Sequence, residues 1–116
     1  MIHFDFEYTT EKESIVVIKL IGSLIESSHA INLLNKVDEF IANGKSKFVL
    51  NMGEFIYMNS SGLSVIISLL TKARKNDGDV VICNITKKNN DLLIITKLNS
   101  VFTVCDNLPE ALNSFN

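Results

Sequence analysis

The chain has 116 residues, 47% hydrophobic and 21% charged, with a formal net charge of −2. That balance suits one globular domain over residues 1–116, able to bury a core without metal or disulfide staples, and it argues against disorder. Basic residues gather only in the short runs Lys72–Lys75 and Lys87–Lys88, too little for a nucleic-acid stripe, and no apolar run approaches the roughly 20 residues of a membrane span.

In chain order, Phe4 to Tyr8 alternates apolar and acidic side chains, as an edge strand does. Ile15 to Ile21 is β-branched and mostly apolar, which predicts a strand covered on both faces, with Gly22 as its end. Ala30, Leu33, Leu34, Val37, Phe40 and Ile41 follow helical spacing. Ser27 or Ser28 is placed to cap that helix, and Asn43-Gly44 to stop it. Lys47 to Asn51 reads as the next strand. From about Ser61 to Lys75 a second helix follows, with Leu63, Ile66, Ile67, Leu70 and Ala73 on one face and Val65 and Leu69 widening it. Asn76 to Asp79 is a turn. Val80 to Cys83 reads as a strand, Lys88 to Thr96 as a short helix, Val101 to Val104 as a last strand and Pro109 to Ser114 as a terminal helix. Strands alternating with helices predict an α/β domain.

Groups that could do catalysis are sparse. His3 and His29 stand apart from any serine or cysteine arranged as a nucleophile, and no paired His, Cys or acidic cluster shows metal-ligand spacing. The Gly-rich loops of nucleotide enzymes are missing. Cys83 and Cys105 read as small core or subsurface residues in a reducing compartment. Met1 to Asp5 lacks the pattern of a secretory signal, so the expected location is cytoplasmic. The expectation is a binding module, with no enzyme activity and no cofactor or metal.

The informative stretch is Phe55-Ile56-Tyr57-Met58-Asn59-Ser60-Ser61-Gly62-Leu63, which follows a strand and opens the second helix. Asn and Ser there can cap the free N–H groups of a first turn. The same position tolerates a phosphate, whose charge of about −1.5 to −2 would meet the positive end of the helix dipole. The fold would survive such a modification while a partner docked on that corner would not.

Met58-Asn59-Ser60-Ser61-Gly62-Leu63 after a strand resembles the Asp-Ser-Ser/Thr-Gly-Leu signature of STAS-domain anti-sigma factor antagonists, and Gly22-Ser23-Leu24 is similar to that family's Gly-x-Leu. The resemblance implies a single STAS domain with a mixed sheet of four to five strands and about four helices mainly on one face. It also implies a partner switch. The unmodified protein binds an anti-sigma factor that is a serine kinase, phosphorylation releases it, and a PP2C-type phosphatase restores binding. By position the phosphoacceptor is Ser60, with Ser61 the second choice. The docking surface is Ser23, Leu24, Ile25 and Glu26 together with Met58, Asn59, Ser61, Gly62 and Leu63, Gly62 allowing a partner's close approach. The protein is expected to be a monomer or weak dimer that touches neither nucleic acid nor membrane. Three positions depart from the pattern: Asn59 replaces an acidic residue, and Ser23 and Ile25 replace the carboxylates of a Gly-Glu-Leu-Asp form. Two other outputs fit the same fold, a kinase–phosphatase switch without a sigma factor and a small-ligand or nucleotide sensor.

Overall fold

The computed structural model describes residues 3–12 and 14–115. Five strands form one sheet in the order β1-β2-β3-β4-β5: Asp5–Glu11, Ile15–Leu24, Lys47–Met58, Asp79–Cys83 and Thr103–Cys105. β1 is antiparallel to β2, and every later pair is parallel. Helices α1 (Ile31–Ala42), α2 (Ser60–Lys75) and α3 (Lys87–Ile95) make the crossovers, and α4 (Leu108–Asn113) follows the last strand. Each crossover steps to the next strand in the same direction, so one handedness puts all three connecting helices on one face.

That face carries the main core, in which Val16, Ile18, Leu20, Phe48, Leu50 and Ile82 of the sheet meet Leu33, Val37, Ile66, Leu70 and Leu93. The opposite face holds a smaller cluster, Ile15, Val17, Val49, Val81 and Cys83 under Ala111 of α4. β2 is therefore covered on both sides over Ile15 to Ile18, as its unbroken apolar run requires. Val65 and Leu69 are buried, while Ser64, Ser68, Thr71 and Lys75 face solvent.

Four local expectations are corrected. Gly22 does not end β2. It takes φ +83° inside the strand, next to an irregularity where Gly22 pairs with Phe55 but Ser23 pairs with Tyr57, leaving Ile56 as an extra residue on β3. Likewise β3 runs on to Met58, seven residues past the expected Asn51. A second extra residue lies between the pairs Lys19–Asn51 and Ile21–Glu54, and each bulge shifts the phase of alternation. Met52, Phe55 and Met58 consequently reach the core at three-residue spacing, a pattern that does not read as a strand.

Ser27 and Ser28 do not cap α1 with their side chains. They sit in a 3-10 turn, Ser27–Ala30, that leads straight into the helix. The C-terminal stop is as expected, with Gly44 N–H donating to Ile41 and Lys45 N–H to Phe40. Finally, the last strand is Thr103–Cys105, starting two residues later and ending one residue later than its apolar run suggested. Val101 closes a 3-10 turn, and buried Phe102 anchors the approach to the strand.

Candidate functional site

The register of β2 on β3 sets Ser23 beside Tyr57 and Leu24 beside Met58. Two segments 34 residues apart in sequence thus emerge side by side at the carboxyl edge of the parallel strands, and a hydrogen bond across that separation ties them together. Asn59 makes this bond with its side-chain amide. Nδ2–H donates to the Ile25 carbonyl at 3.0 Å, and Oδ1 accepts from the Gly62 N–H at 3.0 Å. One residue therefore caps α2 and pins the loop after β2. A carboxylate in its place would keep the cap and lose the donor.

Gly62 is buried, and a Cβ built on it would lie 2.2 Å from the Leu24 carbonyl oxygen and 2.9 Å from the Met58 Cβ. The close backbone approach that this glycine permits is thus made within the chain, between the start of α2 and the end of β2. Leu24, Met58 and Leu63 are buried beneath the corner and hold it in place rather than face outward. Ser23 is half-buried. Ile25, Glu26, Ser60 and Ser61 are exposed. Glu26 lies 3.3 Å from the His29 imidazole, an ion pair when that ring is protonated.

Ser60 is the first residue of α2. The first turn contains no acidic residue, whereas Lys72, Arg74 and Lys75 occupy the last. Cations offset the negative end of the helix dipole there, and no acidic side chain of the first turn offsets the positive end at Ser60. Ser60 differs from Ser61 in one respect: it lines a cavity of about 370 Å³ between the corner and α3, together with Tyr57, Lys88, Asp91, Leu92 and Ile95. Buried Asn89 braces the floor by donating Nδ2–H to the Phe55 carbonyl at 2.9 Å.

Sequence reasoning missed the α3 wall of this cavity. A signal was present in Leu92-Leu93-Ile94-Ile95, since four consecutive apolar residues cannot share one face of a helix. Leu93 takes the core, and Ile95 is left 77% exposed.

The titrating groups with resolved shifts lie elsewhere. Burial, with Cys105 close by, pushes the Cys83 thiol up to about 11. Burial and then the nearby Glu110 and Asp106 raise Cys105. The partner Glu54 raises Lys19. Among the described residues no three His, Cys, Asp or Glu side chains cluster as metal ligands, and no helix is long and apolar enough to cross a membrane.

A family model, the STAS domain, matches residues 8–111 of this chain. BtrV of Bordetella bronchiseptica, a provisionally named anti-sigma factor antagonist, is 23% identical over 107 residues, which cover 92% of each chain. Among solved structures, an anti-sigma factor antagonist from Mycobacterium paratuberculosis superposes with a TM-score of 0.78 at 15% identity, covering 96% of this chain and 92% of its own. The Bacillus cell fate determinant SpoIIAA in its phosphorylated form gives 0.74 at 19%, covering 97% and 100%.

Proposed function

This chain belongs to the STAS domain family, and from that premise we propose that it is an anti-sigma factor antagonist whose grip on its partner is switched by phosphorylation of Ser60. The observation that carries the reading is a division of labour at the corner. Asn59 and Gly62 make the contacts that seat α2, whereas the Ser60 side chain is exposed and, among the described residues, makes no hydrogen bond. A dianion on Ser60 leaves the supports of the fold alone, and it lands at a helix N-terminus with no acidic neighbour in the turn.

The partner in this reading is an anti-sigma factor that is also a serine kinase. It docks on the exposed groups of the corner, Ile25, Glu26, Ser60 and Ser61, over the buried Leu24, Met58, Gly62 and Leu63. Release follows because a docked partner would have to dehydrate the phosphate dianion, at a cost of several kcal/mol. A PP2C-type phosphatase returns the hydroxyl and the affinity. Among relatives, SpoIIAA has a phosphorylated form of like fold, and BtrV and the mycobacterial protein carry antagonist names.

The test is a labelled-ATP assay in lysate of the native source, comparing wild type, Ser60→Ala and Ser61→Ala, with peptide mass mapping. Label lost only in Ser60→Ala is expected. Label that persists in Ser60→Ala, or none in wild type beside an active cognate kinase, contradicts the switch.

A further inference from the structure

We propose that Lys88 is the internal counter-ion of phosphorylated Ser60, a role that rests on the switch described above. Lys88 and Ser60 line the same cavity, one on α3 and the other on α2. The Lys88 ammonium stands 4.9 Å from the centre of the Tyr57 ring, and Tyr57 lines the cavity too. Its neighbour Lys87 is tied to Asp91 at 2.9 Å. Lys88 has no carboxylate partner among the described residues.

The position of Lys88 also breaks a local rule. Lys87 and Lys88 are the first two residues of α3, whose first turn contains no acidic residue, so two cations sit at the positive end of a helix dipole. Asp91 offsets the first. Among the described residues no carboxylate pairs with the second, and a local cost relieved only by an aromatic face points to a use elsewhere. A phosphate on Ser60 provides that use. It places two negative charges in the cavity that Lys88 already lines, where a flexible ammonium carries three donors for its oxygens. A surface cation held only by an aromatic face is weakly held and free to exchange partners.

On phosphorylation, then, Lys88 leaves Tyr57 for the phosphate and lies across the space between α2 and α3. The modification acts on a docked partner twice, by its own charge and by drawing a side chain over the apolar walls formed by Tyr57, Leu92 and Ile95. The other charged groups near the corner are Asp91 and Lys87 of α3 and Glu26 and His29 before α1.

The experiment uses the full chain with phosphoserine installed at position 60 during synthesis, so it needs neither kinase nor partner. Phosphorus NMR titration reads the second ionisation of the phosphate in the wild type, Lys88→Met and Lys87→Met. The wild-type value is expected about half a pH unit below that of Lys88→Met, the scale of an exposed ion pair, with Lys87→Met matching the wild type. All other nearby charges are common to the wild type and Lys88→Met, so their difference isolates Lys88. As a second reading, the Lys88 ε-methylene protons are expected upfield in the unmodified protein, beside the Tyr57 ring, and should return to ordinary values on phosphorylation. Equal phosphate ionisation in wild type and Lys88→Met, or ε-methylene protons that stay upfield, overturns the pairing. Either result leaves the phosphorylation switch itself standing, because that is judged by the lysate assay.

Discussion

Replacing Gly62 with alanine tests how the corner is built. The added methyl would meet the Leu24 carbonyl oxygen at 2.2 Å and the Met58 Cβ at 2.9 Å, both far inside contact distance. Neither neighbour can yield cheaply, since Leu24 and Met58 are paired in the β2–β3 ladder and both are buried. Overpacking of this kind costs roughly 1–3 kcal/mol, and a backbone obstacle puts it at the upper end. Alanine recovers up to about 1 kcal/mol of helix propensity, less in a first turn. The net expectation is a loss of about 2 kcal/mol, or a fall in Tm of about 8 °C for a domain of this size. Urea denaturation followed by circular dichroism reads it directly. Gly53→Ala is the control, because its methyl would meet Asn51 Oδ1 at 3.4 Å and the Asn84 Cβ at 3.5 Å, ordinary contacts. That variant should stay within about 0.5 kcal/mol of wild type, the usual range for benign surface changes. A Gly62→Ala protein as stable as wild type would refute the seating of α2 on the end of β2.

Asn59→Ala removes both the cap on Gly62 and the bond to Ile25. The expected cost by urea denaturation is about 2 kcal/mol, one for each interaction, and a change below 0.5 kcal/mol would deny the clamp. Ser60→Asp should leave the urea midpoint unchanged or slightly raised, since an acidic first-turn residue favours the helix by about 0.3–1 kcal/mol; a clear loss would mean that Ser60 supports the fold. Stability should also fall at alkaline pH through Cys83. Its thiol titrates at about 11 in the folded chain against an ordinary 9.0, so the folded state keeps a proton that the unfolded state gives up between those values. The contribution is complete below about pH 9 and lost as pH rises toward 11. Between pH 8 and 10.5 the wild type should lose on the order of 2 kcal/mol more than Cys83→Ala. Equal losses in the two proteins would contradict it.

Legibility from sequence followed the regularity of the backbone. Helix α1 was readable because it keeps one hydrophobic period and has its stop signal at the expected place, and the first half of β3 because Phe48, Val49 and Leu50 form an unbroken apolar run. Past Asn51 two extra residues break the alternation, so Met52, Phe55 and Met58 gave no strand signal although all three are core. Ser60 and Asn59 were visible as a cap sequence opening a periodic helix. The partner of the Asn59 amide was not, because it depends on the β2–β3 register, which brings Ile25 to it. For the same reason Gly62 suggested a partner's approach, and only the tertiary structure assigns that approach to Leu24. Tyr57 and Lys88 belong to separate elements that meet across the edge of the sheet. No local pattern joins them.

The most direct measurement of the central claim is calorimetric titration of the cognate serine kinase, isolated by its association with the unmodified chain, into two forms of the protein: one with free Ser60 and one with phosphoserine installed there. The account predicts binding to the free form and a loss of at least a hundredfold on phosphorylation, about 2.7 kcal/mol, with the phosphorylated form no less stable to urea than the free one. Equal affinity for the two forms would contradict it.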